Sequence, residues 1–208
     1  MKRFIITLCA LAAALSAFAQ PPEEIVSRME KIMEGHDNDG LIMTVDLKIP
    51  IIGTMTTRTW TLGDKDRIEA EMMGVKLITW SDGKTDWTYD SKKNVVEIKH
   101  ADEKSSSNES GDASMFDGIV EGYDISIKKE DAKAWYLLCK KSKSNKDKDA
   151  PKSMDLVVEK GTFYPVSLTT KVEGMTLVMR DLAFGVTEKD VTFNIADYPG
   201  ATIDDKRK

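Results

Sequence analysis

Acid–base or metal chemistry in this chain would have to come from few side chains. The histidines are His36 and His100, the cysteines are Cys9 and Cys139, and Asp37-Asn38-Asp39-Gly40 carries the spaced oxygen ligands and glycine of a calcium loop. With Gly40 as the turn glycine, Gly35 falls at the first ligand position and Asp46 at the last, where the loop needs an Asp and a bidentate Glu. The stretch therefore reads as a helix-to-strand turn. Both histidines flank polar sequence and read as surface residues. Cys139, in register with Trp135 and Leu137, reads as a buried, inert thiol. There is no G-x-S-x-G, H-E-x-x-H, phosphate-cradling glycine loop or C-x-x-C. No catalytic residue, metal site or cofactor is expected, and the chain does not read as an enzyme.

The elements that would carry any site begin after an export signal. Lys2 and Arg3 precede an apolar run from Phe4 to Leu15, and Ala17-Phe18-Ala19 supplies a cleavage pattern before Gln20. The run is too short to span a bilayer. Residues 1–19 are thus read as a cleaved signal peptide and residues 20–208 as one domain. Cleavage leaves 28 basic against 35 acidic groups, a net charge of −7 once Lys2 and Arg3 are removed from the full count. No basic surplus remains to neutralise phosphates, which argues against nucleic acid. Cys139 is then the only thiol, so no internal disulfide is available. Cys9 follows Leu8 rather than the small residue that precedes an acylated cysteine, so the mature chain is expected to carry no lipid of its own.

Pro21-Pro22-Glu23-Glu24 reads as a helix start, and Ile25, Met29, Ile32 and Met33 form one apolar stripe ended by Gly35. From Met43 onward the period falls to two. Runs such as Met43–Ile49, Thr54–Leu62, Ile68–Met72 and Val75–Trp80 are bounded by turn residues. Ala101–Ser114 reads as a long solvated loop, Met115–Val120 as a short helical piece, and Lys140–Lys152 as an exposed hairpin tip. Phe193 and Ile195 read as a last short strand. Roughly ten short strands with short connections predict an antiparallel sheet with two helical pieces packed on it. Val75–Trp80 and Trp135–Cys139 are apolar on both faces, so they should be covered on both sides or line a cavity. The ten methionines beyond Met1 suit a surface that repacks around variable apolar guests, or fill gaps in an ordinary core.

The stretch Leu77-Ile78-Thr79-Trp80-Ser81-Asp82-Gly83-Lys84-Thr85-Asp86-Trp87-Thr88-Tyr89-Asp90, with Asn94–Ile98, resembles the outer-membrane lipoprotein carrier proteins, LolA, and the wider lipoprotein-sorting family. Tyr164-Pro165-Val166 and the ending through Tyr198-Pro199-Gly200-Ala201 are similar to that family's C-terminal strands. The resemblance implies a mainly β fold, an incomplete antiparallel barrel whose concave face is covered by helices. It implies a soluble, monomeric periplasmic carrier that binds the acyl chains of lipoproteins in a hydrophobic cavity. Such a carrier takes them from an inner-membrane releasing transporter to an outer-membrane acceptor.

In that reading the cavity and lid candidates are Met29, Ile32, Met33, Trp60, Ile68, Met72, Leu77, Trp80, Met115, Phe116 and Ile119. An arginine on the sheet, Arg58 or Arg67, would hold the lid. The long acidic-serine loop before Met115 departs from the short carriers. The alternative is a non-transporting envelope sensor of lipid or protein on the same scaffold.

Overall fold

A computed structural model of the protein describes residues 20–36, 38–72, 74–101 and 116–207, apart from the side chain of Met72. The expected export signal, Met115 and residues 102–114 of the serine–acid loop lie outside the described residues. Helix α1 (Pro22–Glu34) is followed by β1 (Leu41–Ile49), β2 (Gly53–Leu62), β3 (Lys65–Met72), β4 (Val75–Ser81), β5 (Thr85–Asp90) and β6 (Val95–His100). A single turn of helix, α2 (Ile119–Gly122), leads into β7 (Tyr123–Glu130), β8 (Ala134–Lys141), β9 (Ser153–Glu159), β10 (Pro165–Val172) and β11 (Met175–Phe184). The chain ends through α3 (Glu188–Val191), a 3-10 turn (Ile195–Asp197) and β12 (Thr202–Asp205).

All twelve strands join one curved sheet, in the order β12-β6-β5-β4-β3-β2-β1-β11-β10-β9-β8-β7, which does not close into a barrel. The sequence reading undercounts the strands by two and misplaces the last one. Phe193 and Ile195 belong to a strap, residues 185–201, whose 3-10 turn is capped by the Asn194 side chain accepting from the Ala196 amide. The strap crosses the sheet and delivers β12 parallel to β6, with Ile203 opposite Val96. A connection of this length permits the crossover that a hairpin cannot make.

Residues directly opposite on neighbouring strands share a face. One such row, Ile127-Leu137-Leu156-Leu168-Met179-Val45-Thr57-Ala70-Leu77, runs from β7 to β4. It lies on the face that α1 covers, the inner face, where Ile25, Val26, Met29 and Met33 are completely buried against the β7–β10 half. Two prolines and two acids at its start suit the positive end of the helix dipole, so α1 forms where its stripe can be buried. Gly40, at φ +67, carries the chain from α1 into β1. A Cβ there would meet the Thr61 carbonyl oxygen at 2.6 Å and Val186 Cβ at 2.7 Å, so only glycine permits this approach.

Candidate ligand-binding face

The inner face divides into three zones. Over β7–β10 it is filled. Met29, Met33, Phe116 and Ile119 pack with Ile125, Leu137, Cys139, Met154, Leu156 and Val158 in one cluster. Burial pushes the Cys139 thiol up to about 12, so it stays protonated and unreactive. Few polar contacts hold α1 here. The Val120 amide donates to the Glu30 carboxylate at 3.1 Å, and burial raises the pKa of that carboxyl. The Arg28 guanidinium lies 5.1 Å from the Phe163 ring centre.

The C-terminal end of α1 is tied by His36. Its Nδ1 lies 2.6 Å from Asp39 Oδ2, its Nε2 lies 3.0 Å from the Tyr164 hydroxyl, and its ring stacks on Phe184 at 4.2 Å. His36 is thus half-buried and fully engaged rather than a bland surface residue, because the β10–β11 end folds back onto the helix. A cavity of about 510 Å³ opens beside it, lined by Met33, Tyr164, Pro165, Leu182, Ala183 and others. Asp39 of the expected turn serves this contact. Among the described residues no group of three or more His, Cys, Asp or Glu side chains could hold a metal.

In the middle zone, over β11, β1 and β2, the inner face is apolar but only partly covered. Val45, Leu47, Met55, Leu177 and Met179 are half-buried there. In the third zone, over β2–β6, it turns polar. The row Thr61-Asp66-Ser81-Asp86-Lys99 crosses five strands and lines a cavity of about 320 Å³. Ser81 donates to the buried Asp86 carboxylate at 2.7 Å, and Lys99 Nζ lies 3.8 Å from it.

Burial, and then the charge of Asp86, push Asp66 up to about 6. A carboxyl raised above its unfolded value binds its proton more tightly in the folded state, so stability falls as pH rises from about 4 through 6. Asp66→Asn is therefore expected to raise the melting temperature at pH above 7 and to flatten that decline. Thermal melts of both proteins across this range check it, and an unchanged slope would exclude Asp66 as its source.

The outer face of the same strands is aromatic. Trp60-Arg67-Trp80-Trp87-Ile98 forms one cross-strand row. Arg67 lies 4.8 Å from the Trp60 ring centre and 5.6 Å from that of Trp80, and it hydrogen-bonds Glu69. Arg58, exposed, lies 4.9 Å from Trp60. The strap covers this row. Phe193 meets Trp80 at 5.3 Å and stacks on Trp87 at 5.7 Å, and Tyr198 meets Trp80 and Tyr89. Lys65 pairs with Glu188 at 2.5 Å. The Thr187 hydroxyl and amide lower the pKa of Asp190, and the charge of Arg67 adds to this.

The residues expected to share one cavity are thus divided. Met29, Met33, Phe116 and Ile119 come together, while Ile32 sits half-buried at the edge of the helix stripe. Ile68 and Leu77 lie on the inner face but on the far strands, Ile68 at the polar cavity and Leu77 exposed. Trp60, Trp80, Arg58 and Arg67 face outward, away from α1, because strand alternation places them opposite the Thr59 and Ile68 row. Arg67 meets Trp60 and the strap-covered Trp80, and the exposed Arg58 meets Trp60, rather than the helix α1. Met115 and the Met72 side chain lie outside the described residues. Reading the sequence missed the facing strand residues Leu156, Val158 and Leu168, whose alternation marks a face without saying which helix covers it. It also missed the His36–Tyr164 contact, for which no local signal exists.

The open curved sheet, expected from the sequence resemblance, is shared by a solved structure. LprF from Mycobacterium bovis matches with a TM-score of 0.51 and 12% identity, covering 80% of this chain and 93% of that one. An uncharacterized conserved protein from Thermus thermophilus matches with a TM-score of 0.45 and 17% identity, covering 90% of this chain and 100% of the other. A LolA superfamily protein from Nitrosomonas europaea matches with a TM-score of 0.34 and 10% identity, covering 84% and 99%. At 12% identity the likeness to LprF is one of fold. Comparison with protein-family models finds no match, and comparison with curated proteins finds none either.

Proposed function

We propose that this protein is a periplasmic carrier of acylated lipoproteins, with α1 acting as a lid that acyl chains displace from the inner face. One observation carries the reading. A methionine-containing helix covers the inner face over β7–β10 through apolar contact and polar ties at Glu30 and Arg28, beside a partly covered apolar strip on β11, β1 and β2. Burying Ile25, Val26, Met29 and Met33 contributes about 1.5–3 kcal/mol each, on the order of 6–12 kcal/mol together. An acyl chain of about fifteen methylenes gains about 12 kcal/mol at ~0.8 kcal/mol per methylene. The lid is therefore comparable to one acyl chain, so a chain entering the inner face can displace it and the helix can return when the chain leaves. An anchor bound to a rigid apolar pocket would leave far more slowly.

Among the described residues no helix is long and apolar enough to cross a membrane. The releasing transporter and receiving acceptor follow from the resemblance and belong to the same proposal. Native mass spectrometry with a triacylated lipoprotein and its unlipidated form tests it. Preferential capture of the acylated form is expected, and equal or absent capture of both would overturn the reading.

A further inference from the structure

The hairpin turns of the sheet fall at two ends, and the two ends differ in charge and polarity. At one end are the turns within residues 48–54, 71–76, 90–95, 140–153 and 171–176 and the connection 116–122 into β7, which together hold eleven lysines against seven carboxylates. At the other are the turns within 38–41, 62–66, 81–86, 129–134, 159–165 and 184–190, with ten carboxylates against six lysines. A chain that is net acidic therefore has one strongly basic end. That end is also where large apolar side chains meet water. Ile51 is 108% exposed and Ile52 77%, at the tip of the β1–β2 hairpin, with Val172 exposed on the neighbouring β10–β11 hairpin.

Ile51 has φ 72, a left-handed conformation that a β-branched residue adopts only at a cost. Glycine or asparagine would relieve it and keep the tip wet, so folding alone does not account for the pair. Immediately behind the tip, Lys48 and Lys171 both flank Thr176 in one cross-strand row. Leu47, Met55 and Leu177 stand in the next row, on the inner face, so apolar surface continues from the tip into the concavity.

We infer that the basic end is a membrane-docking surface, with Ile51 and Ile52 inserting into the headgroup–acyl boundary of a bilayer rich in anionic lipid and the surrounding lysines contacting its headgroups. A convex apolar tip inside a basic collar fits a bilayer surface, into which apolar side chains sink while lysines stay at headgroup level. Each lysine near an anionic surface contributes roughly fivefold in partitioning, and salt weakens this. Docking in this orientation places the partly covered inner strip next to the acyl layer.

The test is co-sedimentation of the mature chain with phosphatidylglycerol-containing vesicles and with pure phosphatidylcholine vesicles, at low and high salt. Binding to the anionic vesicles alone, weakened by salt, is expected. Ile51→Gly with Ile52→Ser should lower it roughly tenfold or more without lowering the melting temperature, since glycine suits the backbone at 51. Lys48→Glu with Lys171→Glu should abolish the preference for anionic lipid. Wild-type retention by the isoleucine variant, or no vesicle binding by the wild type, as expected if the tip instead reads a protein partner, would overturn the inference. The vesicles carry no lipoprotein, so the outcome is independent of whether acylated cargo binds.

Discussion

Met29→Ala is expected to tighten binding of an acylated ligand by about tenfold or more while lowering the stability of the ligand-free protein. Met29 is completely buried between α1 and the inner face. Truncating such a side chain costs about 2–5 kcal/mol, and here that cost falls on the state with α1 seated. If acyl chains and α1 compete for the same strands, weakening the seated state raises the fraction of molecules able to bind. The apparent dissociation constant falls in proportion until that fraction saturates. Calorimetric titration with a triacylated lipopeptide, beside thermal melts of the free protein, reads both effects. Parallel losses of affinity and stability would make the stripe a static core and would remove the lid from the proposed mechanism. Leu156→Ala, in the β9 floor beneath the same helix, serves as the control, since it damages the surface that cargo and lid share.

Trp80→Ala should lower stability without changing acyl capture. Trp80 is 4% exposed on the outer face, with Phe193 and Tyr198 packed edge-on against it and Arg67 close to its ring. Removing it leaves a large cavity under the strap and unseats two aromatic contacts and the Arg67 contact, a loss of about 3–5 kcal/mol. For a domain of this size the melting temperature should fall by roughly 10 °C. Acyl capture by the fraction that stays folded should be unchanged, because the inner face is built from the alternate residues. A selective loss of capture at undiminished stability would show that cargo reaches the outer face. Deleting residues 185–207 should reproduce the stability loss, since the strap is what covers this row.

The contrast between Met29 and Trp80 shows where local pattern stops being informative. Both are large apolar residues on amphipathic elements, and both belong to one expected cavity. Helical spacing correctly grouped Ile25, Met29 and Met33, since a stripe of that width has a single face. Strand alternation likewise separated Ile78 and Trp80 from Val75 and Leu77. It could not name the covering element, because β4 carries apolar residues on both sides and alternation has no sign. The strap settles this for the outer face. Its aromatic anchors, Phe193 and Tyr198, lie more than a hundred residues beyond the strand they cover, and Phe193 itself reads locally as part of a strand.

What the sequence by itself determined is the set of repeating local units and what they lack. It specified an amphipathic N-terminal helix, strands of period two with glycine and aspartate turns, a single cysteine beyond Cys9, and no catalytic or metal motif. These follow from backbone geometry and side-chain polarity within a few residues. Only the tertiary structure decided which half of the sheet α1 fills, that the inner face turns from apolar to polar across β2–β6, and that Trp80 and Trp87 lie under a C-terminal strap with Arg67 beside Trp80. It also decided that the lysine-rich turns gather at one end. Sheet order and curvature set all of these. They depend on pairings such as β1 with β11, whose residues are about 130 positions apart and whose free energy is gained only when the whole sheet forms.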